Sequence, residues 1–193
     1  MERELSLPAR AGRATAVAAG AFVIYALIVG LEGTGRHFLE IAIVRIALLG
    51  GLIGFSRWSG AHARRLGRIG TGVAAVATVA FFAGAVGALA TDGWSYDVLA
   101  EGDVDPPWYA YIIGLSGIVF ALGTVLLGIA GRSAGSLAKL VIVAGATFPL
   151  VFALGPTAGH AAWLTIWTML GVGLVRTATA DGLGGPVGSP AAH

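Results

Sequence analysis

Six long stretches of the chain are almost wholly apolar: Ala14–Leu31, Phe38–Phe55, Ile69–Ala90, Trp108–Ala130, Leu137–Leu154 and Ala158–Val175. Crossing the hydrocarbon core of a bilayer takes roughly 20 apolar residues in helical form. Lipid offers no hydrogen bonds, so a backbone that crosses it must satisfy its own polar groups, and an α-helix does so within one segment. Each run therefore predicts a transmembrane helix. The first lacks a small-residue cleavage site of the kind that ends a signal peptide and is read as a retained helix.

The polar positions between the runs set an orientation. With the N-terminus inside, Arg3, Arg10, Arg13, Arg57, Arg64, Arg65, Arg68, Arg132, Lys139 and Arg176 all fall on the cytoplasmic side, against Arg36 outside. Basic residues are retained on the cytoplasmic face, so this asymmetry predicts that both termini are cytoplasmic. Asp92, Asp97, Glu101, Asp103 and Asp105 then share one outer loop with Trp94 and Tyr96, a stretch expected to lie along the headgroup region. Asp103 and Asp105 suggest a hard cation, but no loop of the 12-residue calcium type is present and a solvated loop is the simpler reading.

Composition agrees with these spans. Of 193 residues 56% are hydrophobic and 11% charged, which excludes a soluble globular domain and a disordered chain alike. The 31 glycines suit helices that approach closely, since helix association in lipid depends on backbone proximity and van der Waals packing. The absence of cysteine excludes disulfides, thiolate metal sites and a cysteine nucleophile. The net charge of +2 is spread along the helix flanks rather than gathered in a stripe, so no nucleic-acid partner is implied. His62, among Arg64, Arg65 and Arg68, points instead to membrane lipids with anionic headgroups. The expected organisation is a cytoplasmic N-terminus over residues 1–13, a six-helix membrane domain over 14–177 and a flexible cytoplasmic tail over 178–193.

Polar side chains inside a span are costly and so mark candidate chemistry. Ser116, in Gly114-Leu115-Ser116-Gly117, falls in the outer half of the fourth helix, and His160 opens the sixth. Each stands sixteen residues before the basic residue at its helix's inner end, Arg132 and Arg176, which puts both about 24 Å above the cytoplasmic boundary on parallel helices. Serine is inert until a base takes its proton, and a histidine at hydrogen-bond distance is such a base. The plainer alternative makes Ser116 a small packing residue bonded to a carbonyl one turn earlier. Arg45 reads as a snorkelling or neighbour-paired structural residue, with an ion or proton path as the alternative.

The run Gly114-Leu115-Ser116-Gly117-Ile118-Val119-Phe120-Ala121-Leu122-Gly123 resembles the fourth helix of rhomboid intramembrane proteases, and Ala158-Gly159-His160 resembles the start of their sixth. His37 stands where the family's second helix carries its oxyanion histidine, while Ile41 replaces the asparagine that follows it. Trp163 and Trp167 replace the glycines found three and seven residues after the histidine. The resemblance implies an all-α, rhomboid-like bundle of six transmembrane helices in a cell membrane. It also implies a serine endopeptidase with no cofactor, which cleaves transmembrane protein substrates near the outer leaflet through Ser116 and His160, with His37 steadying the oxyanion. The same layout fits a catalytically inactive rhomboid-like scaffold for membrane clients. A small-solute transporter or its substrate-binding component, and an accessory subunit of a membrane complex, are the other readings.

Overall fold

The computed structural model describes residues 6–31, 35–91 and 106–183; the predicted acidic outer loop, with Trp94 and Tyr96, lies outside the described residues. Every regular element among those described is helical. The α-helices are α1 (Leu7–Val29), α2 (Gly35–Trp58), α3 (Arg65–Ala90), α4 (Trp108–Ala130), α5 (Ser136–Ala146), α6 (Leu150–Ala153) and α7 (Pro156–Leu183), with short 3-10 turns at Ala61–Ala63 and Arg132–Ala134. α1, α2, α3, α4 and α7 are each long and apolar enough to cross a bilayer, and this is a multi-pass membrane protein. α1 starts at Leu7 rather than Ala14, with proline in its first turn, where the missing N–H costs nothing. α7 continues to Leu183, past the end of the apolar run at Val175, so the first residues of the expected tail are helical.

The expected fifth span is not one helix. α5 has 11 residues, about 16 Å of axis, and it ends just before Phe148-Pro149. Proline has no N–H and disfavours helical backbone in the residue before it. The hydrogen bonds tighten accordingly: Phe148 N donates to Gly145 O at 3.2 Å, Leu150 N to Thr147 O at 3.0 Å and Val151 N to Phe148 O at 3.0 Å, each reaching back three residues. That shift leaves Ala144 O without its ordinary donor, the N–H four residues ahead. The indole Nε1 of Trp163 on α7 donates to it at 2.7 Å. A side chain from a neighbouring helix thus satisfies the broken backbone, as an interruption within lipid requires.

α1 packs on α2, α2 on α3, α3 on α4 and α4 on the short α5, and α7 returns against α1 to close the bundle. Glycines set the tightest contacts. A Cβ at Gly12 on α1 would lie 2.8 Å from Gly171 O on α7, and one at Gly123 on α4 would lie 2.8 Å from Gly70 O on α3, so at these points backbone meets backbone. Leu31 N donates to Thr157 Oγ1 at 2.9 Å, tying the end of α1 to the start of α7. At the opposite end the Arg64 guanidinium donates to Ala130 O at 2.5 Å and satisfies the terminus of α4. Large apolar side chains remain outside: Ile28, Val76 and Leu115 are 77%, 69% and 63% exposed, which suits surfaces that face lipid tails.

Candidate functional site

Four helices and the break enclose a cavity of about 80 Å³. Since one water takes ~10–15 Å³ on this measure, the space holds several waters or a small ligand. α2 presents Phe38, Ile41 and Arg45 to it, and α4 presents Ala110, Ile113 and Gly114. Spacings of three and four residues keep each set on one helix face. Phe148, Val151 and Phe152 enter from the α5–α6 break, His160 and Trp163 from α7, and Phe81 from α3. The break brings Phe148 and Val151 into the buried interior, while the exposed Phe152 also borders the cavity.

Among the described lining residues Arg45 is the fixed charge, and it is 1% exposed. Its guanidinium carbon lies 4.1 Å from the centroid of Phe81, 4.8 Å from Phe120 and 5.9 Å from Phe148. Holding an arginine at the centre of a span costs about 3 kcal/mol on insertion scales, and a desolvated cation over a ring gains roughly 1–2 kcal/mol. Three rings at that scale offset a cost of this size. Phe120 and Phe148 are in turn held by Trp163, with ring centroids at 6.4 and 5.3 Å, and Phe120 stands 5.8 Å from Trp167. The two indoles thus lie between α4 and α7, and Trp163 also touches the break.

The residues singled out in the sequence separate into two groups. His160, 5% exposed, lines the cavity together with Ile41 and Trp163. Ser116 is buried but does not line it, and its hydroxyl donates to Ile113 O at 2.9 Å. Successive residues turn by about 100°, so Ser116 points some 200° away from Gly114. His37 is likewise buried and outside the lining, with its ring 6.4 Å from that of Tyr25. Glu40 accepts from Arg36 Nε at 3.1 Å across one turn. At the Arg-rich end, His62 Nδ1 donates to Ser56 O at 3.2 Å, beside Arg57 and Arg68.

The aromatic surroundings of Arg45 went unread in the sequence because the rings come from three other segments. One signal was available, the Phe38, Ile41, Arg45 periodicity on α2. Among the described residues no group of three or more histidine, cysteine or acidic side chains could hold a metal ion. Compared with models of protein families, with curated proteins and with solved structures, the chain matches none.

Proposed function

We propose that this protein is a solute-binding component of a cell membrane, either a small carrier or the binding subunit of one. Both termini are cytoplasmic, and the ligand sits in the cavity at the α5–α6 break. The observation that carries the reading is the cavity itself: it is roomy enough for a small molecule, polar at Arg45 and His160, and walled elsewhere by apolar and aromatic side chains. Ligand sites commonly combine a mostly apolar lining with a few placed polar groups. In membrane carriers such sites form where a helix is interrupted near mid-bilayer.

The test uses the full chain in lipid nanodiscs, titrated with six-carbon amphiphiles (hexanoate, hexanamide, hexanol and hexylamine) while tryptophan fluorescence is recorded. Trp163 lines the cavity, so at least one of the four is expected to change the emission saturably. A Cβ at Gly114 would meet nothing within 4 Å, so Gly114→Leu fills the space without a backbone clash and is expected to abolish the response. Binding that persists unchanged in Gly114→Leu would refute this site.

A rhomboid-type protease is the second reading, and one observation favours it: Gly114, of the Gly-x-Ser-Gly segment, and His160 border the same cavity. Catalysis there requires the Ser116 hydroxyl to leave Ile113 O and reach about 2.6–3.2 Å from an imidazole nitrogen.

A further inference from the structure

We propose that the groove between α2 and α3, at the Arg-rich end of the bundle, holds the headgroup of an anionic phospholipid, with its phosphate between Arg57 and Arg68. This site shares no residue with the cavity above, so it stands or falls independently of the solute-binding reading.

The groove has a volume of about 220 Å³. α2 lines it with Ile53 and Arg57, α3 with Arg68 and Gly72, and the connecting turn with His62. Each helical pair is four residues apart and so shares one face. α2 and α3 pack on each other in opposite directions. Arg57 lies in the last turn of α2 and Arg68 in the first turn of α3, which puts both at the boundary of the span. Ile53 and Gly72 lie one turn, about 6 Å, toward the bilayer centre. The groove is thus cationic at the boundary and apolar below it, the order in which a phospholipid runs from phosphate to acyl chains. A Cβ at Gly72 would meet nothing within 4 Å, so the wall is open where the glycerol backbone would rest.

Charge selects the headgroup. Arg57, His62 and Arg68 are exposed, and no acidic side chain borders the groove among the described residues. The positive surplus does not hang on that description: ten of the chain's 12 basic residues belong to helix flanks on this side, and the acids next to those flanks in sequence are Glu2, Glu4 and Asp181. α3 adds to the surplus, since it starts without a capping side chain and without an acid in its first turn, leaving the positive end of its dipole uncompensated. Guanidinium groups pair with phosphate oxygens through charge-assisted hydrogen bonds, and basic clusters flanking a span attract anionic lipids. A choline headgroup instead brings an ammonium that two arginines repel.

The experiment counts lipids bound to the full chain in detergent by native mass spectrometry, with phosphatidylglycerol and phosphatidylcholine of identical acyl chains. The first phosphatidylglycerol is expected to bind about tenfold more tightly than phosphatidylcholine, a comparison that needs no variant. In the double variant Arg57→Gln, Arg68→Gln the preference is expected to fall to about one. Gly72→Leu keeps both charges, fills the groove and is expected to weaken phosphatidylglycerol binding at least fivefold. Arg132→Gln with Lys139→Gln removes two charges from the same end outside the groove and is expected to change binding less than twofold. Glycerol 3-phosphate, the soluble source of the same phosphate chemistry, is expected not to displace the lipid. The proposal is overturned if the two lipids bind equally, if Gly72→Leu binds as wild type does, or if the Arg132 and Lys139 substitutions cost as much as those at Arg57 and Arg68. Displacement by glycerol 3-phosphate would overturn the lipid in favour of a soluble phosphate.

Discussion

At the scale of single residues, two glycines three positions apart on α4 have opposite roles. A Cβ at Gly117 would run into the ring of Phe148, whereas one at Gly114 meets open space. Phe148 belongs to the break and to the surroundings of Arg45, so it cannot yield without disturbing both. Gly117→Ala is therefore expected to destabilise the protein by about 1–3 kcal/mol, the usual scale for overpacking, and Gly114→Ala to leave the melting temperature within a degree or two. Equal effects in thermal unfolding in detergent would show that Phe148 is free to move. Ser116 is expected to resist labelling by a serine-directed fluorophosphonate, because its proton is held by Ile113 O and a hydroxyl without a base is a poor nucleophile. Labelling that disappears in His160→Ala would instead establish the dyad and the protease reading.

At the scale of elements, the break in the fifth apolar segment is a hydrogen-bond exchange between a proline and a tryptophan. Pro149 withholds an N–H, Phe148 N turns to Gly145 O, and Trp163 Nε1 takes over Ala144 O. Trp163→Phe keeps the ring and removes the donor. It leaves a buried carbonyl unpaired, at an expected cost of about 1–3 kcal/mol. Pro149→Ala restores the N–H and lets Phe148 N return to Ala144 O. In the double variant the loss due to Trp163→Phe is then expected to shrink by roughly 1 kcal/mol, a coupling measurable as a double-mutant cycle. Strict additivity would mean that Trp163 stabilises the break by packing alone.

At the scale of the whole molecule, the charge bias predicts which end of the bundle faces the cytoplasm. Thr91 and Ala63 are both exposed and lie at opposite ends of α3. In intact cells, a cysteine introduced at Thr91 is expected to react with an impermeant thiol reagent and one at Ala63 to stay unlabelled; the reverse result would invert the proposed topology. The native chain has no cysteine, so each variant carries a single reporter. The same orientation places the cavity toward the outer leaflet, since Arg45 lies nearer the His37 end of α2 than the Arg57 end, eight residues against twelve.

The sequence alone carried whatever depends on composition and on distance along the chain. Five long helices were legible because an unbroken apolar run in lipid has few other ways to satisfy its backbone, and the basic flanks supplied the expected orientation. Pro149 could be seen, but as one residue in an apolar run it did not reveal that the fifth segment breaks, because the partner that makes the break tolerable, Trp163, is 14 residues away on another helix. Ser116 and His160 were matched by depth, which a count of residues supplies; which way each side chain turns depends on how α4 and α7 are rotated, and no count supplies that. Arg45 was conspicuous as a charge in a span, yet its setting needed Phe81, Phe120 and Phe148 from separate segments. Tertiary packing alone joined these residues into a cavity, because in a bundle the rotation of each helix is decided by the small residues and rings of its neighbours rather than by its own hydrophobicity.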